Sequence, residues 1–328
     1  MNHDRLAGKK VLITGGLGFI GSTLALQSLK AGAEVTIYDC LDPRSGGNMY
    51  NIYEFRDKVT ITLNDVRNFE GLCAAVLHKD IIFNCAAYTS HPNAMKEPLI
   101  DIDVNCKGTI NLLEAIRRFN PETKLVHIGT STQIGKMHGS VVDEFHSEFP
   151  MDMYSANKSA SEKYVMIYGS AYKLRTTVVR LANNFGPRSC IKSADFGFIN
   201  FFIGLALQNK SIPIFGDGLQ LRNFSYVEDS VNALILAALK EETNGNVLFA
   251  VSDSQYSIKD VTIWLSEIIG GEVRFVPWPE ERKSIEVGDA KISNEKIKKM
   301  LGWAPEYNLK DALKLTNDYY RKCLDKYL

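Results

Sequence analysis

Val11-Leu12-Ile13-Thr14-Gly15-Gly16-Leu17-Gly18-Phe19-Ile20-Gly21 decides how this chain is read. The apolar run predicts a buried strand, the glycines a tight turn, and the segment Ile20–Lys30 a helix. The spacing satisfies both G-x-x-G-x-x-G and G-x-G-x-x-G. Glycines here let the chain turn, let a pyrophosphate approach the backbone and let the helix pack close to the strand. The helix N-terminus adds N–H donors and a partial positive charge. Asp39 ends the next strand, about 20 residues on, where a carboxylate accepts hydrogen bonds from ribose hydroxyls and repels a 2′-phosphate. The expected cofactor is therefore NAD rather than NADP, held by Gly15, Gly18, Phe19, Ile20, Gly21 and Asp39.

Outward from this stretch, short β-branched runs alternate with helical ones. Lys10–Thr14, Glu34–Tyr38, Val59–Leu63, Asp80–Asn84, Lys124–Ile128 and Thr176–Leu181 read as strands buried on both faces. Ile20–Lys30, Phe69–His78, Asp101–Phe119 and Tyr154–Tyr172 read as helices between them. That alternation predicts an α/β fold with a doubly wound parallel sheet. Beyond Asn183, Gly186-Pro187, Gly216-Asp217-Gly218 and Pro277-Trp278-Pro279 punctuate shorter elements. Residues 1–181 are expected to form a cofactor domain. Residues 182–328 would be mainly a smaller C-terminal substrate-binding domain, with some segments returning to the first. Asp65-Val66 and Cys85-Ala86-Ala87 end the third and fourth strands at the carboxyl edge, where ligands bind in such sheets.

Composition removes several function classes. The 38 basic and 38 acidic residues of 328 leave no net charge, which argues against a nucleic-acid partner. No apolar run approaches the ~20 residues that cross a bilayer, so no membrane partner is expected. The N-terminus does not read as a signal peptide. Six scattered cysteines without a C-x-x-C pair read as free thiols of a cytoplasmic protein. Histidines, cysteines and carboxylates do not cluster at metal-ligand spacing, so no metal is expected.

Tyr154-Ser155-Ala156-Asn157-Lys158 carries the candidate chemistry. About one Tyr-x-x-x-Lys pair is expected by chance in a chain with 14 tyrosines, so its weight comes from its place at a helix start after the fifth strand. The i, i+4 spacing puts both side chains on one helix face. A lysine ammonium, together with a positive nicotinamide, is expected to lower the tyrosine pKa from ~10 and make it a general base. Thr130, ending the fifth strand, offers a hydroxyl to the same substrate oxygen. His127 reads as a packed, hydrogen-bonded histidine within that strand.

With these residues in place, nearly the whole chain resembles the extended short-chain dehydrogenase/reductase superfamily, particularly its nucleotide-sugar epimerases and dehydratases. The resemblance rests on the glycine opening, Asp39, Asp65-Val66, Asn105 in Val104-Asn105-Cys106-Lys107-Gly108-Thr109, Thr130, Tyr154 and Lys158. It continues through Arg180-Leu181-Ala182-Asn183-Asn184-Phe185-Gly186-Pro187-Arg188, through Phe215–Gly218 and Arg222–Asp229, and through Arg282…Asp289 with Leu301-Gly302-Trp303.

The resemblance implies a Rossmann-type fold and adds Asp65, Val66, Cys85, Ala86, Ala87, Asn105, Tyr154 and Lys158 to the cofactor site. It further implies that Asn183, Arg222 and Arg282 hold the diphosphate of a nucleotide sugar, with Asn200 near the base. The implied reaction is 4-epimerisation of a UDP-hexose, with Thr130, Tyr154 and Lys158 catalytic. A 4-dehydrogenase, a 4,6-dehydratase and a non-catalytic dinucleotide sensor are the alternatives. Helices Asp101–Phe119 and Tyr154–Tyr172 resemble those that pair between family subunits, which implies a homodimer. Two departures stand out. Ser131 and Thr132 occupy places where dehydratases and decarboxylases carry an acidic residue, and Gln133-Ile134-Gly135 replaces Val-Tyr-Gly.

Overall fold

Strand β1 (Lys10–Thr14) is buried at every residue after Lys10, as a strand covered on both faces must be. The computed structural model describes residues 5–42, 44–136, 141–280, 288–289 and 291–328. In it β1 is flanked by β2 (Glu34–Asp39) and β4 (Ile81–Asn84), both parallel to it. With β3 (Thr60–Leu63), β5 (Lys124–Thr130), β6 (Arg175–Leu181) and β7 (Asn246–Ala250), they make a seven-stranded parallel sheet in the order β7-β6-β5-β4-β1-β2-β3. The order runs outward in both directions from β1, so the crevice between the carboxyl ends of β1 and β4 is the switch point where such sheets bind ligands.

Successive residues of β1 feed two separate cores, which is the physical content of double winding. Val11 and Ile13 pack on one face with Leu24 and Ala25 of helix α1 (Phe19–Lys30). Leu12 packs on the other with Leu72 of α2 (Phe69–Ala75) and with Leu112 and Ile116 of α4 (Gly108–Phe119). Between α2 and α4 lies the short helix α3 (His91–Lys96). Helix α5 (Met153–Tyr172) follows β5 and contributes Val165 to the second core.

Three expectations are refined. Asp101–Phe119 is not one regular helix: a turn over Pro98–Asp101 and a π-helical stretch over Ile102–Lys107 precede α4. The α2 helix ends at Ala75 rather than His78, because Asn120 takes the carbonyls of Val76 and Lys79 for its side-chain amide. Strand β7, beyond the six expected strands, comes from the second half of the chain and pairs with β6. The remaining strands are short: Leu221–Asn223 runs antiparallel to Gln255–Ser257, Ser211–Phe215 runs parallel to Glu272–Val276, and Asn184–Phe185 runs parallel to Ser225–Tyr226. Among the described residues no helix is long and apolar enough to cross a membrane.

A buried ion cluster fixes α5 against the sheet. Arg180 on β6 and Glu162 on α5 are each about 1% exposed, and the guanidinium grips the carboxylate through Nε (2.8 Å) and Nη2 (2.6 Å). Gln133 also donates to Glu162 (2.9 Å), and Glu148 closes the cluster against Arg180 and Lys163. Removing one member strands a buried charge, a loss of about 3–5 kcal/mol. Arg180→Met is thus expected to lower stability by about that amount in urea unfolding followed by circular dichroism, and the double change with Glu162→Leu to recover most of it. Equal loss in both variants would contradict the role assigned to the pair.

Candidate active site

Gly15 takes a left-handed conformation (φ +69°) at the end of β1, and a Cβ there would lie 2.7 Å from the backbone N of Ala86. At Gly21 a Cβ would lie 2.2 Å from the carbonyl oxygen of Gly15. These two contacts admit only glycine, and they draw α1, β1 and the end of β4 around one point. Helix α1 starts there with no side-chain cap and no acidic residue in its first turn, which leaves its N-terminal field open to an anion.

That point is the floor of a cavity of about 430 Å³. Gly15, Gly18, Phe19, Ile20, Gly21, Asp39, Asp65, Val66, Cys85, Ala86, Ala87, Thr130, Tyr154, Lys158 and Asn183 all line it. Asp39 binds the turn to β2: its Oδ2 accepts the Leu17 N–H (2.9 Å) and its Oδ1 the Leu41 N–H (2.8 Å). Burial raises its pKa, and the backbone donors oppose that rise. The two nearby cations that could serve a 2′-phosphate are already engaged. Arg44 forks onto Asp42 (3.0 and 2.7 Å) and Arg67 onto Asp65 (2.9 and 2.6 Å). Arg67 accordingly holds Asp65 below the usual carboxylate range.

From the glycine turn a buried polar chain runs towards Lys158. Ala86 N–H donates to Thr14 Oγ1 (3.3 Å), Thr14 to Asn84 Oδ1 (2.7 Å), and Asn84 Nδ2 to His127 Nδ1 (3.0 Å). His127 is fully buried beside Lys158, and burial together with that charge holds it well below the usual histidine range. It is a neutral packed group, 3.4 Å from Lys158 Nζ. Lys158 donates to the Ile128 carbonyl (2.6 Å), and burial lowers its pKa to about 8 against the pull of Glu162 and other neighbours.

The protein's own groups act on Tyr154 mainly in one direction. Burial, then the charges of Asp101 and Asp152, push its hydroxyl above the ordinary tyrosine value, and only a hydrogen bond with Thr130 opposes them. Lys158 alone does not depress it, because desolvation of the phenolate outweighs a lysine that is itself desolvated. The hydroxyls of Thr130, Thr132 and Ser155 form a chain with spacings of 3.1 and 3.0 Å, ending on Asp152, the N-cap of α5.

The other expected residues are placed differently. Asn105 is buried behind the wall, clasping the Tyr88 backbone through both ends of its amide (3.0 and 2.9 Å). Asn200 donates to the Asn184 carbonyl (2.9 Å) and is buried. Asn183 donates to the Asn223 carbonyl (3.0 Å) from a left-handed backbone (φ +37°). Arg222 lies on Leu221–Asn223 and donates to the carbonyls of Leu221 (2.8 Å) and Gly288. Arg282 lies outside the described residues. Among the cavity residues that escaped the sequence reading is His91, whose Nδ1 lies 2.8 Å from Asp152 Oδ2 across 61 positions of chain. Among the described residues no group of three or more His, Cys, Asp or Glu could hold a metal ion.

Residues 11–250 match the family described as NAD dependent epimerase/dehydratase. The chain belongs to this family. The glycine cradle, the uncapped helix and the paired arginines fit its cofactor, NAD. The UDP-N-acetyl-alpha-D-glucosaminuronate decarboxylase of Bacillus cytotoxicus is 30% identical, covering 96% of this chain and 98% of the relative. The UDP-glucose 4-epimerase of Mycolicibacterium smegmatis is 29% identical over 95% and 98%. The structure of UDP-glucose 4-epimerase from Thermotoga maritima with UDP-glucose superposes with a TM-score of 0.87 at 27% identity, covering 96% and 99%. Like other members of the family, the chain has a Rossmann-like parallel sheet flanked by helices.

Asp39 gives the cofactor end a direct test. Asp39→Asn is expected to weaken NAD binding about 10- to 100-fold in calorimetry and to narrow the preference over NADP, since it removes a charged acceptor and the repulsion of a phosphate. Unchanged affinity for both dinucleotides would contradict this placement.

Proposed function

We propose that this family member is an NAD-dependent nucleotide-sugar 4-epimerase acting on a UDP-hexose. The observation that carries the reading is the joint placement of Thr130, Tyr154 and Lys158 on the cavity whose far end is the glycine turn. NAD, held against the glycine turn by Gly15, Gly18 and Gly21 and by Asp39, would supply the hydride acceptor and donor for the carbinol carbon. Tyr154 Oη takes the proton of the C4 hydroxyl and gives it back, while Thr130 fixes the direction of that hydroxyl. Lys158, held at the Ile128 carbonyl, supplies the fixed positive charge beside both groups. Because the protein's own groups raise Tyr154, ionisation requires the cationic nicotinamide beside it, which couples base strength to the oxidised cofactor.

Residues 1–181 would hold NAD and residues 182–328 mainly the nucleotide sugar. Asn183 lies on the cavity wall. Arg222 and Arg282 are assigned to the diphosphate, Arg222 by exchanging its carbonyl acceptors for phosphate oxygens, and Asn200 to the neighbourhood of the base. The relatives' different reactions leave 4-epimerisation to be carried by the site. Ser131 and Thr132 provide no carboxylate for dehydration, which favours a sugar that regains its hydrogen in place.

The reading extends to a homodimer in the cytoplasm. Leu99, Ile102, Ile167 and Tyr172, exposed along the 98–107 segment and α5, would be covered by a second copy. Six free cysteines suit a reducing compartment.

Incubation of the purified protein with UDP-glucose, UDP-N-acetylglucosamine and UDP-glucuronic acid tests the activity by NMR of the products. The expected product is inverted at C4 without accumulation of reduced nicotinamide. Tyr154→Phe is expected to lower kcat about 10²- to 10⁴-fold with little change in KM. A released keto sugar with stoichiometric reduced nicotinamide, or a Tyr154→Phe enzyme of full activity, would overturn the assignment.

A further inference from the structure

The C4 chemistry leaves one oriented group of the cavity without a task. His91 opens α3 immediately after the wall segment that ends β4 and lines the cavity. Its ring stands edge-on to that of Tyr154, with centroids 4.7 Å apart and planes at 70°. Its Nδ1 is 2.8 Å from Asp152 Oδ2. Asp152 is itself immobilised: its side chain is 7% exposed, Oδ1 accepts the Ser155 N–H (2.8 Å) and Oδ2 the Ser155 hydroxyl (3.1 Å). A carboxylate on one ring nitrogen fixes the tautomer and ring orientation and leaves the other nitrogen to exchange protons. Among the described residues, no protein group bonds His91 Nε2.

Inversion at C4 needs a single base for a single hydroxyl, and Tyr154 is that base. A second acid–base group beside it implies a second proton to move. While C4 is a carbonyl, the bonds it acidifies are the C–H bonds of the neighbouring carbons, C3 and C5. Dehydratases and decarboxylases of this family place a carboxylate next to the catalytic threonine. Here that place holds hydroxyls, and the cavity also carries an imidazole, His91, bonded to Asp152.

We propose that His91, oriented by Asp152, transfers a proton at the sugar carbon next to C4, giving this enzyme an exchange activity at C3 or C5 besides its C4 chemistry. The inference rests on the C4 oxidation proposed above. In the forward step the C–H electron pair becomes a C=C bond, the carbonyl π pair moves to O4, and the proton goes to His91 Nε2. Thr130 and Tyr154 present their hydroxyls to that oxygen. Return of a proton to the carbon reverses each change, so no further reactant is consumed. Delivery to the original face leaves only an isotopic trace, and delivery to the other face inverts that carbon too.

The test is solvent labelling. The holoenzyme is incubated in D₂O with UDP-glucose, UDP-N-acetylglucosamine and UDP-glucuronic acid, and the recovered sugars are read by NMR and mass spectrometry. Deuterium is expected at C3 or C5. His91→Asn keeps an amide donor for Asp152 but no basic nitrogen. It should cut this exchange about 100-fold or more, while C4 inversion falls by less than about 10-fold. His91→Gln, with circular dichroism of both variants, separates loss of the base from loss of the fold. Inversion at C4 with no deuterium at C3 or C5, or with equal exchange in the variants, would overturn this proposal and leave the C4 reading standing. No reaction at C4 with any of the three sugars would overturn both.

Discussion

The contact between Gly21 and the carbonyl of Gly15 governs the geometry of this protein. With the ideal Cβ position of Gly21 only 2.2 Å from that oxygen, α1 reaches β1 more closely than any side chain would permit. The same turn meets Ala86 at the end of β4 and receives the Asp39 bond from the end of β2. Three strand ends and one helix start are thereby fixed around a single point at the switch of strand order. The uncapped start of α1 and the Asp39 carboxylate, to which the proposed function gives the pyrophosphate and the ribose, are adjacent for that reason, not through separate adjustment.

Burial does the rest of the tuning. Lys158, His127 and Tyr154 sit in one desolvated layer, where each charge is costly and each hydrogen bond fixes an orientation. The lysine is lowered to about 8 and the tyrosine is raised, so the pair is poised against ionisation until a cation joins it. This is the reverse of a tyrosine activated by its lysine alone. In the proposed reaction this would link proton transfer to the oxidation state of the dinucleotide. The Arg180–Glu162 pair, with Glu162 one turn beyond Lys158 on α5 and Arg180 on β6, keeps that layer in register with the sheet.

Much of this was legible in the chain because the signals are local. The glycine turn, Asp39, and Thr130, Tyr154 and Lys158 each follow from a strand end or helix start whose period is short, and all of them line the cavity. Strand β7 was not legible, since four apolar residues, Val247–Ala250, after a glycine turn do not by themselves distinguish a strand from a buried helical turn. The rise that burial gives Tyr154 in the protein alone was not legible for a different reason: spacing reports a neighbouring charge but not the desolvation that opposes it. Asn105 supports the wall through Tyr88, a contact between elements that the sequence places 17 residues apart. The His91–Asp152 pair spans 61 residues, and only the folded sheet brings His91 to Asp152 and Tyr154.

The central claim is that the C4–H bond of a nucleotide sugar is broken and re-formed within this one cavity. A UDP-hexose carrying deuterium at C4 tests it most directly. The account predicts a primary isotope effect on inversion and a product that keeps the label at C4 in the opposite configuration. Inversion with the label lost to solvent, or without an isotope effect in a single turnover, would contradict it.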